Sequence, residues 1–464
     1  VNKGNLMRAA VLAAAVTAVC GAEEPSRRVP SDVEIRKILM ERVDTRRQAV
    51  GIVVGIIDPQ GRRVVAYGEL DKDDPREPTG DTIFEIGSVT KVFTSLLLED
   101  MIQRGEAALS DAVAKYLGVK VPERNGRQIT LVDLSTHTSG LPRLPSNFHP
   151  KDPANPYADY TAEQLYEFLA AYSLTHDVGS RFEYSNLGGG LLGLALARRA
   201  GMDYEALVRA RITGPLQMTS TGVTLSPELR KRLAVGHNSQ LAAVPNWDTP
   251  VLAGAGALRS SANDMLTFLA ANLGYVKSTL APAMSAMLSV RRPTGAPGLG
   301  EVALGWFVAS PSGDPIVWHN GGTGGYRSFI GYDAKARVGV VVLSNAFTAT
   351  GVDDIGMHLL DPHAPLQAPP REHREAAIDP KLLDAYVGRY QLAPGFVLTI
   401  TREGDGIFAQ ATGQPKVPIY AESDREFFYK VVEAEITFDI DKSGQVVRLT
   451  LHQNGANMPA NRIP

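Results

Sequence analysis

The chain has 464 residues, 44% of them hydrophobic and 21% charged, with a formal net charge of -3. That length exceeds one ordinary core and predicts a large domain with at least one appendage. The balance is that of a folded protein without a basic stripe, which excludes nucleic acid as a partner.

At the N-terminus, Lys3 and Arg8 precede the apolar run Ala9 to Val19, and the small residues Gly21 and Ala22 follow. This order predicts a secretory signal over residues 1–22, too short to span a bilayer, and leaves no transmembrane segment in the mature chain. Export to the periplasm or the medium is expected. Cys20 is the only cysteine and sits at the edge of that segment, so no internal disulfide and no catalytic cysteine is available. Acylation of Cys20 as a lipoprotein is the lesser alternative, because Thr17-Ala18-Val19 is a poor lead-in for it.

Behind a Ser31 cap, Val33, Ile38, Leu39 and Val43 recur at helical spacing up to Gln48. The β-branched run Ala49 to Ile57, the turn Asp58 to Gly61 and the run Val64 to Tyr67 then predict a hairpin whose first strand is central. Residues of about 117–240 read as a helical lobe broken by Pro and Gly. Strand patterns return at Ile316 to Trp318, Ser328 to Tyr332 and Val338 to Leu343, so both ends of a domain spanning 31–360 build its sheet. Residues 361–380, rich in Pro, His, Arg and Glu, mark a linker. Beyond it, over 381–464, short strands are expected at Phe396 to Thr401, Ile407 to Gln410, Val417 to Tyr420, Glu426 to Lys430, Glu435 to Ile440 and Val446 to Gln453. Their even spacing predicts a small antiparallel barrel or sandwich.

The chemistry concentrates in three short motifs. Phe84-Glu85-Ile86-Gly87-Ser88-Val89-Thr90-Lys91 opens a helix with apolar positions suited to burial. Ser88 and Lys91 are i and i+3 on one face, so an amine stands beside a hydroxyl. Burial lowers the pKa of that amine and makes it a neutral base, while the helix N-terminus favours negative charge near Ser88. By itself Ser-x-x-Lys is as well explained by a cap and a solvated lysine. Tyr184-Ser185-Asn186, read as lying in a Gly-rich turn before Gly188-Gly189-Gly190, adds a phenol and an amide. His319-Asn320-Gly321-Gly322 follows a short strand and precedes a second Gly-rich turn.

Together these motifs resemble the signature of the serine penicillin-recognising superfamily: class C β-lactamases, D-alanyl-D-alanine carboxypeptidases and family VIII carboxylesterases. The stretches Thr136 to Pro142, Gly256 to Met265 and Val341 to Asn345 extend the likeness. It implies an α/β fold of β-lactamase/transpeptidase type, an antiparallel sheet flanked by helices with an all-α lobe, followed by the small all-β domain, which resembles lipocalin-like appendages. It also implies Ser88 as acylated nucleophile, Lys91 and Tyr184 as proton carriers, and the backbone N–H groups of Ser88 and Gly322 as oxyanion hole. Asn186, His319, Asn320 and Gly321 would contact substrate. A neutral histidine at 319 binds a carboxylate more weakly than an ammonium does, which is closer to the carboxypeptidase branch. Arg327 is the candidate for the missing positive charge, with a surface arginine as its alternative reading.

The implied partner is a small-molecule or peptide substrate: a β-lactam, a D-Ala-D-Ala peptide or, alternatively, a short-chain ester. A penicillin-binding sensor without turnover is a third reading, and the oligomeric state is left open. No Gly-x-Ser-x-Gly elbow and no His-Glu-x-x-His occurs, and neither Gly254-Ala255-Gly256 nor Gly322-Thr323-Gly324 completes a Gly-x-Gly-x-x-Gly, so neither cofactor nor metal is expected. His137 is read as a hydrogen-bonded structural histidine.

Overall fold

The structure, a computed structural model, describes residues 29–464 apart from 297, 369–372, 394–395, 413, 415, 431–433 and 454–455; the signal expected over residues 1–22, with Cys20, lies outside the described residues. The first helix is Asp32–Met40. Ser31 Oγ accepts from the Glu34 N–H at 3.3 Å, and Glu34 Oε2 accepts from the Ser31 N–H at 2.7 Å. This reciprocal cap fixes where the helix starts. Ile35 and Leu39 form its buried face.

Gly51–Asp58 and Gly61–Gly68 pair as the expected hairpin, and the first strand also pairs with Val338–Ser344, Ile52 lying opposite Ser344. Early and late segments thus close one antiparallel sheet. In spatial order its eight strands are Gly61–Gly68, Gly51–Asp58, Val338–Ser344, Arg327–Asp333, Ile316–Gly322, Phe307–Ala309, Glu301–Val302 and Arg292–Pro293. Helices cover both faces. Ile52, Val54 and Ile56 pack with Ile35, Leu39 and Ile355 on one side. Val53 and Ile57 belong to the core on the other, which contains Leu266 and Leu269 of the helix Ala262–Asn272. A strand buried on both faces reads as a continuous apolar run, and every residue of Gly51–Asp58 is buried. The last three strands are too short to leave a periodic signal.

The helical lobe contains Leu131–Ser135, Ala162–Ala171, Asn186–Ala200 and Tyr204–Val208, with one short hairpin before them and one after. One sequence expectation is corrected here. Gly188 to Gly193 do not form a turn but the interior of the helix Asn186–Ala200, capped by Ser185, whose Oγ accepts from the Gly188 N–H at 2.8 Å. Glycine costs about 1 kcal/mol in a helix relative to alanine. Close approach offsets that cost. A Cβ on Gly193 would stand 2.8 Å from the Gly254 Cα, and one on Gly189 3.0 Å from Lys91 Cε.

The C-terminal strands, from Gly388–Ala393 to Ala456–Ile463, form a closed eight-stranded barrel, each pairing with the next and the last with the first. Tyr390, Phe427 and Phe438 are fully buried in its core together with Tyr386 from the helix Pro380–Tyr386. The first and last strands were not foreseen. Neither contains a β-branched run, and Pro459 interrupts the second. Among the described residues no helix is long and apolar enough to cross a membrane.

Candidate active site

The strand Ile83–Glu85 pairs with Arg259–Ser261 and leads into a 3-10 turn, Gly87–Val89, from which the helix Thr90–Gln103 continues. Gly87 has φ +50°, and a Cβ there would meet the Gly322 amide nitrogen at 2.7 Å. Only glycine lets the Ser88 turn close against the strand Ile316–Gly322. Ser88 is thereby presented at the start of a helix buried nearly throughout.

Lys91 is 3% exposed, and its Nζ is within hydrogen-bond distance of three oxygens: Ser88 Oγ at 3.0 Å, Asn186 Oδ1 at 2.9 Å and the Ala255 carbonyl at 2.7 Å. Burial first, then the nearby Arg143 charge, hold its pKa well below the ordinary lysine value. Asn186 also donates through Nδ2 to the Tyr157 hydroxyl at 3.4 Å, which orients its amide. The Tyr184 phenol hydrogen-bonds Ser88; burial pushes its pKa up to about 12 against the opposing pull of Ser88 and Arg143.

His137 grips the backbone on either side of Tyr184. Its carbonyl accepts from the Glu183 N–H at 2.7 Å and its Nδ1 from the Ser185 N–H at 3.2 Å. The ring lies 4.4 Å from that of Tyr184, and the residue adopts φ +55°. Burial, then the charges of Lys91, His319 and Arg143, push its pKa well down, so the imidazole is neutral. The structural reading of this histidine therefore acquires a definite content: it fixes the tyrosine.

A cavity of about 540 Å³ opens over these groups and is lined by Ser88, Tyr184, Asn186, Asn320, Gly321, Gly322 and Arg327. Eight of the nine residues singled out by sequence thus meet, Lys91 from below through its bond to Ser88. His319 does not line the cavity. Its motif is part of the strand Ile316–Gly322 rather than following one, and alternation along that strand places His319 and Asn320 on opposite sides. The His319 ring is buried, 5.1 Å from Phe307, with Nδ1 against the Asn320 carbonyl at 2.6 Å. Burial, then Lys91, push its pKa down to about 3, so it holds no charge for a carboxylate.

Asn320 Nδ2 is bound by Asp353, whose carboxyl is pushed up to about 6, mainly by burial. Arg327 is no free surface arginine: its Nε donates to the Thr348 carbonyl at 3.1 Å and its guanidinium covers Phe347 at 4.0 Å. Sequence reasoning missed Arg143, Tyr157, Trp247 and Phe347, which also line the cavity. Arg143 directly follows the Thr136 to Pro142 stretch, a signal of position; the three aromatics stand in loops without pattern. A second cavity of about 590 Å³ lies around Tyr204, Asn246 and Arg259 and shares only Trp247 with the lining of the first.

Comparison with known proteins places this geometry. A family model described as Beta-lactamase matches residues 35–360, and one described as a domain of unknown function, DUF3471, matches 372–460. The D-alanyl-D-alanine-carboxypeptidase/endopeptidase AmpH of Escherichia coli K12 is 31% identical over 355 residues, covering 74% of this chain and 91% of AmpH. A Yersinia pestis structure described as a beta-lactamase/D-alanine carboxypeptidase is 28% identical with a TM-score of 0.60, covering 68% of this chain and 92% of that one. A class C beta lactamase from Rhodobacter sphaeroides is 25% identical with a TM-score of 0.61, covering 71% and 99%. The model that matches the barrel, over residues 372–460, is the domain of unknown function. With a matched segment that takes in both the sheet and the helical lobe, the chain belongs to the beta-lactamase family of penicillin-recognising serine proteins.

Proposed function

We propose that the protein is an exported serine hydrolase that cleaves D-Ala-D-Ala-type peptides through an acyl group on Ser88, with β-lactams as alternative acylating substrates. The observation that supports it most is the environment of Lys91 Nζ. Two of its three partners, the Asn186 and Ala255 oxygens, can only accept. On the neutral amine they take both N–H bonds, and the lone pair is left facing Ser88 Oγ at 3.0 Å. The order of Lys3, the apolar run and Ala22 supports export.

In this reading Lys91 removes the Ser88 proton as Oγ forms a bond to the substrate carbonyl carbon. The N–H groups of Ser88 and Gly322 hold the oxyanion, each such donor contributing about 3 kcal/mol. The C–N bond then breaks while Tyr184 donates its proton to the leaving nitrogen and regains one from the Lys91 ammonium. Water cleaves the acyl ester by the reverse proton path. A resting tyrosinate is disfavoured by a pKa of about 12, which leaves Lys91 as the initial base. Arg327 faces the substrate carboxylate in place of His319. Supporting a peptide over a lactam are the peptidase name of AmpH and the absence of charge on His319.

Two expectations test this assignment of roles. Activity rises with pH through the lowered pKa of Lys91, because the base must be neutral, and stays level until Tyr184 ionises near 12; a kcat/KM profile with a fall near neutrality would contradict it. Tyr184→Phe should lower peptide hydrolysis by about two to three orders of magnitude. The same variant should cost far less with p-nitrophenyl butyrate, whose leaving group departs as an anion without a proton. Equal losses on both substrates would remove Tyr184 as proton donor. Nitrocefin, a fluorescent penicillin, p-nitrophenyl butyrate and a D-Ala-D-Ala peptide together separate the alternatives: ester cleavage alone favours the esterase, and a stable penicillin adduct without turnover favours the sensor.

A further inference from the structure

The wall of the 540 Å³ cavity bears two guanidinium groups, Arg143 and Arg327, and no carboxylate among its described lining residues. The two differ. Arg327 is spoken for by the Thr348 carbonyl and Phe347 and feels the charge of Asp353. Among the described residues no side chain pairs with the Arg143 guanidinium, which stands open to solvent at the cleft mouth with its carbon 5.3 Å from the Tyr184 ring centroid.

Its position is nevertheless fixed by the same element that holds Tyr184 and Asn186. The Arg143 carbonyl accepts from the N–H groups of Asn186 and Leu187 at 3.0 and 3.1 Å, and Ser185 Oγ donates to the preceding Pro142 carbonyl at 2.7 Å. The charge is felt at Lys91, His137, Tyr157 and Tyr184. A cation without a described counter-ion, in a cleft whose described lining is otherwise neutral or cationic, is the arrangement that recruits an anion.

We propose that Arg143 forms a carboxylate subsite in this cleft, separate from the one at Arg327, so that the preferred substrates carry a second carboxylate besides the terminal one. The inference rests on the cleft being the acyl-transfer site proposed above. The chemical class is a dianionic peptide, one carboxylate meeting the sheet wall at Arg327 and the other meeting the helical lobe at Arg143. A guanidinium suits the role because it presents paired N–H donors to both carboxylate oxygens.

Binding tests this without requiring turnover. In the full-length Ser88→Ala protein, quenching of tryptophan fluorescence, with Trp247 in the cleft wall, reads Kd for two esters matched in length, p-nitrophenyl hemiglutarate and p-nitrophenyl valerate. The hemiglutarate should bind about tenfold or more tightly, as expected of a charge-assisted hydrogen bond. Adding Arg143→Gln should abolish the ratio between the two esters, and Arg143→Lys should restore most of it. Equal Kd values in the parent, or a ratio that survives Arg143→Gln and vanishes with Arg327→Gln, would overturn the subsite. A wild-type protein that shows the ratio yet hydrolyses no substrate would leave the subsite standing and refute the hydrolase reading instead.

Discussion

Lys91→Met should lower kcat/KM by about four to six orders of magnitude, as much as Ser88→Ala, and the double variant should lose no more than either single one. Residues that act as one unit fail together, so their losses do not add. The physical reason lies in the three partners of Nζ. Two fixed acceptors direct the remaining valence at Ser88 Oγ, 3.0 Å away, and burial keeps the amine able to shed its proton. Methionine matches the length of the lysine stem and brings no charge into the buried position, so the helix Thr90–Gln103 is expected to stay folded. Rates on a D-Ala-D-Ala peptide, with adduct formation on Ser88 followed by mass spectrometry, give the comparison. A Lys91→Met protein retaining more than a few per cent of activity would show that another group removes the proton.

Gly193→Val should damage both the fold and the site, although the residue never faces the cleft. Its new Cβ would stand 2.8 Å from the Gly254 Cα and 3.2 Å from the Gly254 nitrogen, which are backbone atoms that no rotamer change can move. Overpacking of this kind costs about 1 to 3 kcal/mol. The helix Asn186–Ala200 and the turn Ala253–Gly256 must then part, and between them they supply the Asn186 and Ala255 oxygens that position Lys91. A displacement near 1 Å at such a centre costs roughly a hundredfold in rate. Thermal unfolding and peptide hydrolysis measured together check this, with Gly193→Ala expected to fall between the valine variant and wild type. A valine variant that melts and turns over like wild type would mean that the two segments are free to separate.

The same glycines show where sequence reading stops. Gly188 to Gly193 look like a turn because glycine is a poor helix former, and the compensating partner, Gly254, is some 60 residues away and leaves no mark on local pattern. His319 shows a related limit. The motif names it, but only the fold decides that its ring is buried against Phe307 and near Tyr184, 5.1 and 6.4 Å away, where it is neutral. Arg143, Tyr157 and Trp247 arrive at the cavity from loops, by contacts that no spacing rule encodes.

What the sequence by itself determined was local and periodic. It placed the Ser31 cap, the two-sided central strand, the Ser88 and Lys91 pair one helical turn apart, and most of the barrel strands. Each depends on residues within a turn or a pleat of one another. What only the tertiary structure decided was every property that requires distant segments to meet: the three oxygens around Lys91, the neutral buried His319, the grip of His137 on Tyr184 and the two arginines in a cleft with no carboxylate among its described lining residues. Desolvation and charge act through space, so the pKa that makes Lys91 a base depends on burial contributed by helices and loops scattered over more than 150 residues.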